Sequence, residues 1–445
     1  MTIKAQEIKN ILSKNILADG FDVVIDLDKS CGSWIVDQRN GDKYLDMFSM
    51  YASGAVGYNH PYIVENQSTL GKIAINKTTL SDIYNIYYAG FLKTFDKFAA
   101  PSYLKHAFFI DGGALAVENA LKAAFDWKKR KNLQLGIDKE GDKVIYFNQA
   151  FHGRSGYTMT LTNTSDPRKT MYYPELPWFK VDNPKLSFPI DDSIIDNVVK
   201  NEIKVVESIN KIIKSNKNDI AALILEPIQG EGGDNHFRDE FMVVLREICD
   251  QNDIILIFDE VQTGIGITGK MWAHENFSVK PDIISFGKKT QVCGMLAGDR
   301  IYNLDDNVFK ESSRINSTFG GNLVDMYRFK LILEIICKEN LFSNVQEMGS
   351  HLLSNLNELA LKYPGYITNP RGLGLFCAFD FPSTIERDKF ISKALDKKLM
   401  ILGSGDNSIR FRPHLNVKES DLNIALDIID SIVKDLNKDK VKTPS

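Results

Sequence analysis

The chain has 445 residues, 43% hydrophobic and 25% charged, with 30 Gly and 14 Pro. That balance supports a substantial buried core and excludes disordered, collagen-like and solenoid chains. Lys plus Arg number 54 against 58 Asp plus Glu, a net charge of −4, so no chain-wide field recruits nucleic acid or an anionic membrane.

The first twenty residues mix charges with apolar residues and lack an apolar stretch ending at a small-residue cleavage site, so no signal peptide is expected. The longest apolar runs, such as 254–258, are too short to span a bilayer. Cys31, Cys249, Cys293, Cys337 and Cys377 are scattered, with no Cys-x-x-Cys or Cys/His cluster. Reduced thiols, a cytoplasmic setting and no metal site are expected.

In chain order, segments 33–36 and 43–46 around Asn40-Gly41 predict a hairpin. From about residue 105 to 290, apolar strands at 107–110, 144–147, 221–225, 254–258 and 283–286 alternate with amphipathic helices. One such helix carries Phe241, Val244, Leu245 and Ile248 at helical spacing. Unbroken apolar strands joined by helices predict an α/β core with a mostly parallel sheet. Helices follow at 323–338 and about 341–361, then strands around 374–381 and 408–411, and a helix at about 419–436. The last eight residues read as a frayed tail. The expected division is a small α+β domain from 1–60 and 323–445, and a large α/β domain from 61–322.

Three features share one chemistry. The 107–110 strand runs into Asp111-Gly112-Gly113-Ala114 and a helix start, where free N–H groups and glycines suit a phosphate. The 254–258 strand ends in Asp259-Glu260, and 283–286 leads into Lys288-Lys289. A phosphate seat, a strand-end carboxylate and a strand-end lysine are the three attachments of pyridoxal 5′-phosphate (PLP). Successive strand residues face opposite ways, so only one of the two lysines is expected to reach it.

The run FDEVQTG at 258–264 and PDIISFGK ending at Lys288 resemble the class III aminotransferases. Stretches 112–132, 151–164, 226–238, 286–294 and 316–322 resemble the lysine ε-aminotransferase branch of that family. Gly-Gly-Ala-Leu-Ala and Gly-Lys-Lys-Thr-Gln depart from the Ser-Gly-Ser/Thr-Glu-Ala and Ala-Lys of general members, which favours the narrower branch. The resemblance implies PLP-dependent transferase fold type I, like aspartate aminotransferase, and a homodimer with shared active sites. It implies that Gly113 and Ala114 bind the phosphate, that Phe151 and Val261 flank the ring, and that Asp259 pairs with the ring nitrogen. Gln262 would approach the ring hydroxyl, Lys288 would be the catalytic lysine, and Thr318 would reach the neighbouring subunit's phosphate.

Two arginines suit two carboxylates. By resemblance, Arg154 takes the α-carboxylate of L-lysine and the distal carboxylate of 2-oxoglutarate, and Arg410 takes the latter's α-carboxylate, with Arg412 the nearby alternative. Glu231 would neutralise Arg410 during the lysine half-reaction and swing away for the dicarboxylate, its glycine neighbours permitting the movement. His152 is expected chiefly to brace the turn before Gly153. The implied reaction moves the ε-amino group of lysine to 2-oxoglutarate. An ornithine or 4-aminobutyrate donor is the nearest rival. A noncatalytic scaffold and an aminomutase are the others. Donor length depends on pocket shape, and spacing leaves open whether 47–56, Asn316 and Ser317 define it.

Overall fold

The computed structural model describes residues 3–442, with side chains described to 438. Near the amino terminus, β1 (Trp34–Val36) pairs antiparallel with β2 (Lys43–Asp46). The loop between them spans 37–42 and is longer than the expected two-residue turn: Asp37 and Asp42 close it backbone to backbone, and Gly41 has φ +80°. β2 also pairs in parallel with Leu399–Met400, so the hairpin shares a sheet with a carboxy-terminal strand.

The main sheet comprises β3 (His106–Ile110), β4 (Lys143–Phe147), β5 (Phe179–Val181), β6 (Ile220–Leu225), β7 (Ile255–Asp259), β8 (Ile283–Phe286) and β9 (Cys293–Ala297). Its order is β3-β9-β8-β7-β6-β4-β5, parallel from β8 to β5, with β9 running antiparallel to both its neighbours. Five of the seven strands are legible as apolar runs. β5 is three residues long with Lys180 at its centre, and β9 contains glycine and alanine, so neither shows a run.

Alternate strand residues feed two cores, as the two-residue period of a strand requires. Val144, Ala222, Ile224, Ile255, Ile257 and Ile283 pack with Val117, Ala120, Leu121, Ala124 and Trp127 of the helix Gly113–Gln134. Ile145, Leu223, Leu256, Phe258 and Ile284 pack on the other face with Phe241, Leu245 and Ile248 of the helix Asp239–Gln251. The result is a helix–sheet–helix sandwich whose strand ends converge on one edge.

The helix Leu323–Lys338 packs on Ile86–Phe98, where Phe91 and Phe95 meet Phe109 and Phe329. Leu341–Lys362 follows it. A second sheet, of order β10 (Thr368–Leu373), β11 (Phe376–Asp380), β14 (Ser408–Phe411) and β13 (Leu402–Ser404), is antiparallel throughout; Leu399–Met400 is β12. The final helix Glu419–Lys442 runs into the segment expected to fray, and 443–445 lie outside the described residues. No described helix is long and apolar enough to cross a membrane.

Candidate active site

Each strand of the main sheet that contributes to the site does so at its carboxyl end. β3 leads into Gly112, whose φ of +105° turns the chain directly into the helix Gly113–Gln134. Many helices here are capped by a side chain, among them those beginning after Asn85, Asp191, Asn322 and Ser383. The Gly113 helix has no side-chain cap, so its first-turn N–H groups face the cavity with their partial positive charge unsatisfied. A Cβ on Gly113 would sit 3.0 Å from Val261 Cγ1, so glycine lets this seat close onto the ring-flanking valine.

β7 ends in Asp259, which is 3% exposed. One carboxylate oxygen accepts from the Val261 N–H and Ser285 Oγ, each at 3.0 Å, and the other meets His152 Nδ1 at 2.8 Å. This corrects the expectation for His152: the turn is braced by Thr162 Oγ1, which accepts from the His152 and Gly153 N–H groups, while the imidazole holds the carboxylate. The acidic pair divides. Glu260 is fully buried and accepts from Thr263, from the Ala273 and His274 N–H groups, and from the His274 ring. Its role is structural.

β8 ends at Phe286, and Lys288 and Lys289 belong to a 3-10 turn. Strand alternation is therefore not what separates them. Lys288 lines the cavity; Lys289, 1% exposed, points behind it. Burial, helped by Arg410 and Arg412, lowers the Lys288 amine to about 8, against opposition from Glu231 and Asp259. Burial also holds the Lys289 amine well below its usual range. Residues 49–52 form a left-handed turn, with φ of 41° to 67°, against this loop. Lys288 and Lys289 donate to the Tyr51 and Ala52 carbonyl oxygens, and Gln291 donates to that of Ser53, all at 2.9 Å.

These residues line two adjoining spaces. One, of about 360 Å³, is bounded by Gly113, Ala114, Phe151, Asp259, Val261 and Lys288, with His152 and Glu226 behind. The other, of about 380 Å³, opens beside it among Tyr51, Arg154, Glu231, Gln262, Lys288 and Arg410. Arg154 is exposed and has no ion pair or hydrogen bond among the described residues. Arg410 is buried and paired with Glu231 at 2.9 Å. Arg412 is already committed: it grips both Asp234 oxygens and lies 3.3 Å above the Phe376 ring, and its Nε donates to Gln262 Oε1.

Thr318 lies outside these cavities in the single chain, on an exposed loop, as do Asn316 and Ser317 beside it. Glu226 and Lys169 are the residues the sequence reading missed. Glu226 follows β6 as Asp259 ends β7, and that shared strand-end position was the available signal. It accepts the N–H groups of Phe151 and Gly230 at 2.9 and 3.0 Å. Lys169 lies on a short turn with no pattern, and only its contact with Glu231 reveals it.

The profile of the class III aminotransferases matches residues 17–433. The chain belongs to that family. It is 45% identical to an L-lysine-epsilon aminotransferase of Mycobacterium tuberculosis over 423 residues, covering 94% of this chain and 93% of that one. A probable mitochondrial 4-aminobutyrate aminotransferase of Caenorhabditis elegans is 33% identical, covering 93% and 88%. Among solved structures, a lysine aminotransferase from M. tuberculosis superposes with a TM-score of 0.95 at 44% identity, covering 98% of this chain and all of that one.

Class III aminotransferases depend on PLP, and the residues present fit that group. An uncapped helix start matches a phosphate, a fixed carboxylate matches a ring nitrogen, and a buried amine of lowered pKa matches an aldehyde. The fold is that of the type I PLP enzymes, with Phe151 and Val261 available as the two faces of a ring slot.

Proposed function

We propose that this aminotransferase moves the ε-amino group of L-lysine to 2-oxoglutarate, giving 2-aminoadipate 6-semialdehyde and L-glutamate. The observation that carries the reading is the unequal state of the two arginines on one cavity. Arg154 is free at its mouth, and Arg410 is neutralised by Glu231. Lysine has one carboxylate and a long methylene chain, so it needs one free arginine and no unpaired charge along the chain. A dicarboxylate needs both arginines, and the Glu231 pair is the element that yields the second. The greater likeness to lysine than to 4-aminobutyrate enzymes supports the same choice.

In this reading Gly113 and Ala114 hold the cofactor phosphate, Phe151 and Val261 enclose its ring, Asp259 keeps the ring nitrogen protonated, and Gln262 lies by the ring hydroxyl. When bound, PLP supplies an electron-accepting ring that stabilises negative charge at the carbon losing its proton. Arg154 orients the donor by its α-carboxylate, which directs the ε end toward Lys288. The Lys288 amine, neutral in useful amount near neutral pH, takes the proton from Cε. Tyr51 and Phe48 wall the cavity against water. The aldehyde product closes on its own α-amine to a cyclic imine, 1-piperideine-6-carboxylate, which draws the reaction forward.

Thr318 reaches the phosphate of the neighbouring subunit in a homodimer, consistent with its exposed loop. Five unbonded cysteines fit a reducing, cytoplasmic setting.

The test mixes the yellow holoenzyme with L-lysine alone and follows loss of its absorbance while o-aminobenzaldehyde traps the cyclic imine. Bleaching with trapped imine from lysine supports the proposal. Bleaching by ornithine or 4-aminobutyrate only overturns the donor assignment, and no bleaching by any amine overturns the catalytic reading.

A further inference from the structure

Glu231 has two cationic neighbours. Its Oε2 meets Arg410 at 2.9 Å and its Oε1 meets Lys169 Nζ at 2.5 Å. Arg410 belongs to β14, whereas Lys169 ends the short turn Pro167–Lys169, so the carboxylate bridges two independently placed elements. The Lys169 ammonium is held on its other sides by Thr164 Oγ1 at 3.3 Å and by the Phe151 ring, 5.8 Å from its centroid.

The main chain of Glu231 is fixed. The Gly405 N–H donates to its carbonyl oxygen at 2.9 Å. Its glycine neighbours, expected to act as hinges, serve close packing instead. A Cβ on Gly230 would lie 2.4 Å from Gln262 Oε1, and one on Gly232 would lie 2.0 Å from the Gln149 carbonyl oxygen. Movement of the carboxylate is therefore rotation of its own side chain. Beside the reaction cavity is a polar cavity of about 480 Å³, lined by Ser165, Arg168, Arg387, Ser404 and Gly405, and Lys169 with Glu231 lines both. The Lys169–Glu231 pair is the partition between the two.

We propose that Lys169 is the pivot of Glu231, keeping hold of the carboxylate while it turns from Arg410 into this second cavity as a keto acid's carboxylate takes its place. The inference rests on the reading of Arg410 as the keto acid's carboxylate site. Its physical basis is desolvation. The Glu231 side chain is only 24% exposed, and leaving Arg410 with no second cation would strand a partly dehydrated charge. With Lys169 in place, one ion pair exchanges for another, so a carboxylate of modest affinity can displace Glu231. Lys169 is a positioning residue, acting on the oxo-acid half-reaction through Glu231.

The experiment uses holoenzyme and glutarate, an unreactive dicarboxylate, with binding read by calorimetry and the lysine half-reaction read by single turnover. Lys169→Met is expected to weaken glutarate about tenfold, the order of one charge-assisted hydrogen bond, while the lysine half-reaction stays within about twofold. Lys169→Arg restores glutarate binding. In a Glu231→Gln background the same Lys169→Met change is expected to shift glutarate affinity by less than about twofold, because the pivot has nothing to hold. Equal weakening in both backgrounds, or none in the first, overturns the pivot. Arg410→Gln separates the underlying reading. If that variant binds glutarate normally, the assignment of Arg410 falls; if it loses glutarate while Lys169→Met keeps it, only the pivot falls.

Discussion

His152 Nδ1 lies 2.8 Å from Asp259 Oδ2, and both groups are almost completely buried. An ionised carboxylate only accepts, so Nδ1 carries the proton toward it, and the Val261 N–H and Ser285 hydroxyl fix the other oxygen. Three donors thus fix the carboxylate in the orientation that the proposed pairing with a ring nitrogen needs. His152→Ala removes one of them and leaves a buried lone pair unmatched. We expect about tenfold weaker PLP binding to the apoprotein, measured by fluorescence titration, with partial recovery in His152→Gln. An unchanged dissociation constant would reduce the imidazole to filler.

Two adjacent lysines should respond in opposite ways. Lys288→Ala is expected to abolish transfer. Lys289→Met should keep the rate within a few-fold but lose about 1–3 kcal/mol of stability, since the Ala52 carbonyl of the left-handed turn loses its donor. The pH profile of the lysine half-reaction adds a sign. Lys288 must be neutral to take a proton, so the rate rises with pH and levels beyond about 8. Arg410 helps to lower that amine and Glu231 raises it. Arg410→Gln should therefore shift the profile upward, and Glu231→Gln downward. Shifts in the reverse directions would show that Lys288 is not the group titrating.

Much of this site was legible because its chemistry sits at strand ends, and strands buried on both faces announce themselves as unbroken apolar runs. The pairs Asp259-Glu260 and Lys288-Lys289 stand out in the sequence for that reason, as does the Gly112-Gly113 turn, and the family resemblance then selects Asp259 and Lys288. Arg410 required the family resemblance, since nothing local distinguishes it from the fully paired Arg412. Lys169 and the left-handed turn at 49–52 were illegible for a different reason. Each is defined by a partner far along the chain, Glu231 in one case and the 288–291 loop in the other. No periodicity encodes such contacts.

Glu226 supplies a pH-dependent stability term. Burial raises its carboxyl from 4.5 to about 7, with Asp259 adding to the shift and His152 opposing it. Below pH 4.5 the group is protonated folded and unfolded. Between 4.5 and 7 the folded chain holds a proton the unfolded chain has released, so this stabilisation fades as pH rises and is gone above 7. Glu226→Gln does not titrate. The stability of the variant relative to the parent apoprotein should therefore climb between about pH 4.5 and pH 7, by at most roughly 3 kcal/mol, and level off above, in urea melts. Gln accepts only one of the two N–H groups from Phe151 and Gly230, but that loss is the same at every pH and cancels in the difference. A flat difference would mean that Glu226 ionises normally.

The two glycines beside Glu231 should fail in different ways when a methyl group is added. At Gly232 the new Cβ meets the main-chain oxygen of Gln149 at 2.0 Å. Gln149 itself has φ +63°, and its side chain accepts from Asn183, Lys185 and Asn235, so that segment has little room to retreat. Gly232→Ala is expected to cost about 3 kcal/mol or more in denaturant melts. At Gly230 the clash is with the end of the Gln262 side chain, which rotates. Gly230→Ala should keep most of its stability but move Gln262 within the cavity and release its contact with Arg412. The loss then appears as a KM for 2-oxoglutarate raised about tenfold, with the melt shifted by less than about 1 kcal/mol. If Gly230→Ala unfolds the protein and Gly232→Ala only raises KM, the two contacts have been assigned the wrong way round.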